Sequence, residues 1–182
     1  MQSDNSLEFD VLIVGGGPAG LACAIELGKQ QVNSEKPLNI CLIDKGSEIG
    51  AHILSGNVLD PKSLNQLIPN WQEKKAPIST KVSSDRFYWL TKNYSIRLPT
   101  PPQLYNHGNY IISLSQLCRW LATEAEALGI NIIPGYAAVS PIYENEQVIG
   151  ISTNEVGRKK DGSQGPQYQP GIKIYAKQTV LA

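Results

Sequence analysis

One stretch narrows the fold of this chain more than any other, the run from Phe9 to Asp44. Phe9 to Val14 (FDVLIV) is short, apolar and β-branched, as a strand buried on both faces should be. Gly15 to Gly20 (GGGPAG) reads as a tight glycine turn, and Pro18 suits the first turn of a helix, where a missing N–H costs little. Leu21, Ala24, Ile25 and Gly28 then fall on one side of that helix. Leu38 to Ile43 (LNICLI) is a second buried strand, closed by Asp44-Lys45. A strand, a helix and a strand in this order call for a parallel pair joined by a crossover, and so for an α/β fold. The uncharged run from Val11 to Ile25 is shorter than the roughly 20 residues of a membrane-spanning helix, and the glycines break it.

The glycines carry chemistry because of where they stand. Gly15-x-Gly17-x-x-Gly20 alone is a weak pattern. Here it follows a buried strand, opens a helix and precedes a strand ending in an acid, which is the context a dinucleotide-binding turn requires. Gly15 makes the turn. Gly17, without a Cβ, lets the backbone approach a pyrophosphate, and Gly20 lets the helix pack on the strands. The helix N-terminus offers unpaired N–H groups and partial positive charge. Asp44 accepts hydrogen bonds from ribose hydroxyls and repels a 2′-phosphate, which argues against NADP. It lies slightly further along than the usual spacing of about 20 residues. Whether the ligand is FAD or NAD does not follow from these glycines.

The remaining sequence divides around this unit. Residues 1–8 read as a polar tail, 9–56 as the βαβ unit, 57–112 as an insertion and 113–182 as a return to the first domain. Residues 46–60 show no period and read as an ordered loop. Asp60-Pro61 opens a short helix to about Ile68. Arg86–Leu90 and Tyr94–Leu98 flank Lys92-Asn93 as a hairpin. Asn109 to Ile112 is a short apolar run, and Ser113-x-x-Gln116 is a capping-box pattern before the clearest helix. Its apolar face is Leu114, Leu117, Cys118, Leu121, Ala122, Ala125 and Leu128, and Gly129 stops it. Ile130–Ile133 is a further strand. Residues 139–176 read as strands with turns at Glu144-Asn145 and around Lys160-Asp161-Gly162, the stretch 157–171 being a polar, glycine-rich loop.

Composition excludes several classes. The chain has 182 residues, with 16 Lys plus Arg against 16 Asp plus Glu, so there is no basic field for a nucleic-acid backbone. Cys23, Cys41 and Cys118 form no C-x-x-C, which disfavours a disulfide framework, a zinc site or an iron–sulfur cluster built by this chain alone. His52 and His107 stand far apart with no acid or cysteine pattern, so no metal site is expected. The opening MQSDNSLEFD lacks the features of a secretory signal or a transit peptide, which leaves a reducing cytoplasm as the simplest compartment.

Several longer motifs add to the glycine turn: EIGAHILSG (Glu48–Gly56), NHGNYI (Asn106–Ile111), EAEALG (Glu124–Gly129) and PGYAA (Pro134–Ala138). Together they resemble the N-terminal part of the electron transfer flavoprotein–ubiquinone oxidoreductase family, from about Phe9 to Ala182. The resemblance implies a Rossmann-like FAD-binding fold of the glutathione-reductase type with an inserted segment. It implies an enzyme that takes electrons from reduced electron transfer flavoprotein and passes them to ubiquinone at a membrane surface. It further implies a peripheral position on the cytoplasmic face of a bacterial inner membrane. By carry-over, the cofactor-binding residues are Gly15, Gly16, Gly17, Pro18, Ala19 and Gly20 at the pyrophosphate, with Asp44 and Lys45 toward the ribose. His52, Ser55 and Gly56 would lie in the loop near the flavin, and Ala138 would approach the adenine through its backbone. His52 is equally readable as a structural histidine.

Two departures from that family follow. Its [4Fe–4S] cluster has no cysteines here, and its quinone-lining residues cannot be named. With the apolar run Val180-Leu181-Ala182 at the C-terminus, the sequence reads as the front of a longer chain. Phe87, Trp89, Tyr94, Ile96 and Leu98 are readable as a hairpin dipping into a lipid interface or as an ordinary hairpin on a core. The alternative reading is another FAD oxidoreductase, geranylgeranyl-reductase-like or hydroxylase-like, or an inactive fragment.

Overall fold

The computed structural model describes residues 6–158 and 162–182. In chain order the elements begin β1 (Ser6–Val14), α1 (Pro18–Gln30), β2 (Ile40–Asp44), β3 (Ser55–Leu59), α2 (Lys62–Leu67) and β4 (Thr80–Lys81). There follow β5 (Phe87–Leu90), β6 (Ser95–Leu98), a 3-10 turn (Pro102–Leu104), β7 (Tyr110–Ser113) and α3 (Leu114–Ala127). The last are β8 (Asn131–Pro134), β9 (Ala138–Glu144), β10 (Gln147–Thr153), β11 (Val156–Arg158), β12 (Gln164–Gln169) and β13 (Lys173–Leu181). They fall into two compact units, one made of the residues up to Ile53 with Cys118–Ala182, the other of Leu54–Leu117.

The first unit is built on a six-stranded sheet ordered β8-β2-β1-β13-β10-β9. The first four strands are parallel; β10 runs antiparallel to β13, and β9 antiparallel to β10. The pairing of β1 with β2 sets Leu12 opposite Cys41 and Ile13 opposite Leu42. These residues, with Ile40 and Ile43, are fully buried on both faces of the sheet, as their unbroken apolar runs require. One face packs Leu12, Cys41 and Ile43 on Ile151, Ile174 and Ala176. In α1 the stripe Leu21, Ala24, Ile25 and Gly28 is buried, and Gly28 presses against Leu128.

Two expectations for this unit need correction. The polar tail ends sooner than expected, because Ser6, Leu7 and Glu8 extend β1 against Lys173, Ile174 and Tyr175. Their own sequence gives no strand signal; a partner strand far along the chain imposes it. The polar segment 157–171 is not simply a loop, since β11 and β12 pair as a ribbon, Val156 opposite Gln169. The expected turn at Lys160-Asp161 lies outside the described residues. The turn between β9 and β10 uses Asn145 and Glu146, both with positive φ (47° and 66°), as a two-residue hairpin turn of matching twist demands. At the end of α3, Gly129 takes φ 83° and stops the helix, as its position predicts.

The second unit holds a three-stranded antiparallel sheet, β3-β7-β4, and the separate hairpin β5-β6. Its core is small: Leu64, Ile68, Trp71, Ile78, Val82 and Ile112. Trp71 meets Tyr110 edge-on at 5.8 Å and donates its indole N–H to the Asn65 Oδ1 at 2.7 Å. The stretch 46–60 is not all loop, because Ser55–Leu59 pairs with β7 as β3. All but Leu59 of it is exposed, so no alternation marked it. Helix α2 starts one residue later than expected, with Pro61 as N-cap; the Asp60 Oδ1 still accepts the Lys62 N–H at 3.0 Å. The hairpin pairs Phe87 with Leu98 and Trp89 with Ile96, so these four side chains share one face.

Candidate cofactor site

Where β1 ends, three glycines meet three different constraints. Gly15 donates its N–H to the Ile43 carbonyl at 2.9 Å and sits at φ 118°, and a side chain there would run into Ala182. A side chain at Gly20 would run into the Gly15 carbonyl, so α1 can lie this close to the turn only with glycine. Gly17 is the N-cap of α1, and its carbonyl accepts the Leu21 N–H at 3.0 Å. A Cβ at Gly17 would meet nothing within 4 Å. The space before the N-terminus of α1 is therefore open, which is what an anion approaching that terminus needs.

Asp44, the last residue of β2, ties this turn to the next loop. Its Oδ2 accepts the Gly16 N–H at 2.8 Å and its Oδ1 the Gly46 N–H at 2.7 Å. Each oxygen keeps a lone pair for a further donor. The carboxylate is thus fixed before any ligand arrives. Burial pushes the neighbouring Cys118 thiol up to about 11, and the Asp44 charge acts in the same direction. Burial alone pushes Cys41 up to about 12. Both thiols are therefore inert at neutral pH.

A cavity of about 430 Å³ opens here, within the size range of small-molecule sites. Of the sequence-derived candidates, Gly15, Gly17, Asp44, Lys45, His52 and Ala138 line it. Gly16 and Gly20 are buried behind them, while Pro18 and Ala19 are exposed in the first turn of α1. Ser55 and Gly56 open β3, in the second unit. The hairpin candidates Phe87, Trp89, Tyr94 and Ile96 are exposed and Leu98 is half-buried, also in the second unit.

Sequence reasoning missed part of the wall, since Tyr136 and Ala137 line the cavity beside Ala138. Gly50 and Ile53, in the Gly50–Gly56 loop expected near the flavin, line it beside His52. The Tyr136 N–H donates to the Asp44 carbonyl at 3.0 Å, and the Gly135 N–H to the Gly46 carbonyl at 2.7 Å. Arg119 holds the loop, its Nη2 on the Glu48 Oε1 at 2.7 Å and its Nε on the Ile49 carbonyl at 3.3 Å. Ile49 in turn packs beneath Gly16. The PGYAA motif was the one signal pointing to Tyr136 and Ala137; Arg119 had none.

A larger hollow of about 630 Å³ lies over β9, β10 and β13, walled by Val139, Tyr143, Val148, Ile151 and Leu181. Its lining includes no glycine turn and no carboxylate, so the smaller cavity is the candidate site. Among the described residues, no helix is long and apolar enough to cross a membrane.

Residues 13–71 match the family described as NAD(P)-binding Rossmann-like domain. The chain is similar to the electron transfer flavoprotein-ubiquinone oxidoreductase, mitochondrial, of Dictyostelium discoideum, 49% identical over 98% of this chain and 30% of that protein. The protein of the same name from rice, Oryza sativa subsp. japonica, is 47% identical over 97% of this chain and 31% of its own length. The chain thus spans under a third of these relatives. Among solved structures it is similar to a geranylgeranyl bacteriochlorophyll reductase-like protein from Thermoplasma acidophilum. That match is 25% identical with a TM-score of 0.67, covering 97% of this chain and 39% of that one. The Rossmann-like α/β fold is thereby established, and the sequence relatives favour the oxidoreductase over the reductase-like alternative. The expected bacterial inner-membrane location is overturned, because these sequence relatives are named as mitochondrial proteins and come from eukaryotes. A reading of the N-terminus as free of targeting features carried no information about where such relatives reside. Over nearly all of its length, the chain matches the N-terminal part of the electron transfer flavoprotein–ubiquinone oxidoreductase family.

Proposed function

We propose that this chain is the FAD-binding N-terminal part of an enzyme that takes electrons from reduced electron transfer flavoprotein and delivers them to ubiquinone. The observation that carries the reading is the open space before Gly17 at the N-terminus of α1, beside a carboxylate already fixed by two backbone N–H groups. Those residues fit a dinucleotide: donors for a pyrophosphate, a fixed acceptor for ribose hydroxyls, and a backbone wall beyond. When bound, FAD supplies the redox chemistry; the protein supplies binding, orientation and electrostatics.

In this reading Gly15, Gly16, Gly17, Pro18, Ala19 and Gly20 surround the pyrophosphate, and Asp44 with Lys45 meets the adenosine ribose. His52, Ser55 and Gly56 belong to the flavin side, and Ala138 to the adenine. The [4Fe–4S] cluster belongs to sequence outside this chain, since Cys23, Cys41 and Cys118 sit on three separate elements, α1, β2 and α3. The shared face of Phe87, Trp89, Ile96 and Leu98, with Tyr94 at the turn, is the membrane-contacting surface through which a lipid-dissolved quinone is reached.

The test is Gly17→Val in the intact protein. Wild type should purify with flavin absorbance. The valine's Cβ enters open space, so the melting temperature should hold while FAD affinity falls by about tenfold or more, because close backbone approach is lost. Wild type that takes up no FAD, or a variant that binds it equally, would sink the proposal.

A further inference from the structure

Tyr136, Ala137 and Ala138 line the same cavity as Asp44, whose carbonyl accepts the Tyr136 N–H, and one side chain from another strand connection holds this wall in place. Asn154 follows directly on β10. Its Oδ1 accepts the Ala137 N–H at 3.0 Å, and its own N–H donates to the Ala137 carbonyl at 3.0 Å. Ala137 therefore has both polar backbone groups bound to a single residue. The Asn154 Nδ2 donates to the Glu155 carbonyl at 3.3 Å, which fixes the amide with its oxygen toward Ala137.

Asn154 is itself anchored. The preceding Thr153 is buried, donates its N–H to the Ile172 carbonyl at 2.9 Å and accepts the Ile172 N–H on its Oγ1 at 2.9 Å. A side chain at Gly171 would run into the Thr153 carbonyl, so this crossing is tight. The β9–β10 ladder is also irregular here, with a register shift between Ser152 and Thr153 before Thr153 meets Ala138. At a break in the ladder an ordinary partner strand would not satisfy the Ala137 N–H; the asparagine side chain does so instead.

We propose that Asn154 is a positioning residue for nucleotide recognition, holding Ala137 so that the adjoining Ala138 backbone stands in the place from which it reads the edge of an adenine. This rests on the reading of the cavity as an FAD site and deepens it. A purine edge read by backbone N–H and C=O groups is discriminated only while those groups are held still. Removing the asparagine oxygen leaves the Ala137 N–H without its acceptor and lets the wall relax. A site that hydrogen-bonds its ligand rejects an analogue with the wrong donor more strongly than an apolar site does.

The experiment titrates the intact apoprotein with FAD and with the flavin dinucleotide carrying hypoxanthine in place of adenine. Wild type should prefer FAD by about tenfold. Asn154→Ala should bind both ligands with affinities within about twofold of each other, while Asn154→Asp, which keeps an acceptor oxygen, should retain the preference. Asn154→Ser, whose hydroxyl is too short to reach Ala137, should behave as the alanine variant does and serves if that one does not fold. An unchanged preference in both short variants, even with both affinities lowered, overturns the proposal, because a purely structural role would weaken both ligands alike. Equal binding of the two ligands by wild type overturns it too. Wild type that binds neither fails the FAD reading first and this role with it.

Discussion

The two units of this chain use β-structure in opposite ways. In the first, β1 and β2 are sealed on both faces, and every large side chain that is wholly buried among the described residues belongs to it, from Leu12 and Ile13 to Ile174. In the second, β3, β5 and β6 expose nearly every residue, and the core is carried by Leu64, Ile68, Trp71 and a few neighbours. Burying one such side chain contributes about 1.5–3 kcal/mol, so the first unit holds most of the burial energy. That surplus lets it carry a turn of glycines and polar backbone at its working edge. The second unit keeps a large apolar surface uncovered, with Trp89 62% and Ile96 54% exposed. Burial marks the scaffold, and its absence marks a surface available for contact.

The sharpest way to break this contrast is to cut each unit at an aromatic or aliphatic residue and compare urea unfolding. Leu42→Ala, in the sealed sheet, should cost about 3–4 kcal/mol. Trp89→Ala, on the open hairpin, should cost about 0.5 kcal/mol. Similar losses would mean that the hairpin is as much core as the sheet. A smaller effect, confined to the second unit, is expected from Trp89→Glu combined with Ile96→Glu. Sedimentation with anionic vesicles should drop several-fold while FAD content and melting temperature hold; undiminished sedimentation removes the membrane role from the hairpin.

The smallest effect compares one clamped carboxylate from each unit. Asp10 lies below the usual aspartate range because Lys177 pairs with it and the Asn39 N–H bonds to it. Asp85 lies low because the Asn106 backbone and side-chain N–H groups both donate to it. A carboxyl with a depressed folded pKa adds stability that is fully present above 3.8, the ordinary value, and is lost as pH falls through the lowered pKa. Asp10→Asn and Asp85→Asn should each lower the urea midpoint slightly at neutral pH and match wild type in strong acid. A midpoint difference that persists in acid would show that the clamp works through something other than charge.

The same division explains what could be read in advance. FDVLIV, the glycine turn and LNICLI announce themselves because a strand sealed on both faces must be apolar throughout, and a helix laid on it must show a stripe. Asp44 was legible because it ends such a strand. The β3 strand was not, because an exposed strand such as SGNVL has no buried face to impose alternation. Ser6–Glu8 were misread for a related reason, since their pairing is set by β13. Arg119 and Asn154 left no trace either: each acts through hydrogen bonds to backbone brought close only by the fold, across 70 residues for Arg119 to Ile49 and 17 for Asn154 to Ala137. Side chains that bond to backbone leave no periodicity behind them.

The parallel pairing of β1 with β13 bears on how the molecule comes into being. β1 lies between β2, which follows closely in sequence, and β13, which lies at the far end of the chain. During synthesis the ribosome releases β1 early, yet one edge of it stays unpaired until β13 has emerged. Contacts this distant in sequence fold slowly, and an open apolar edge meanwhile invites pairing with other nascent chains. The strand that leads into the glycine turn is therefore made early yet is among the last to be paired on both edges.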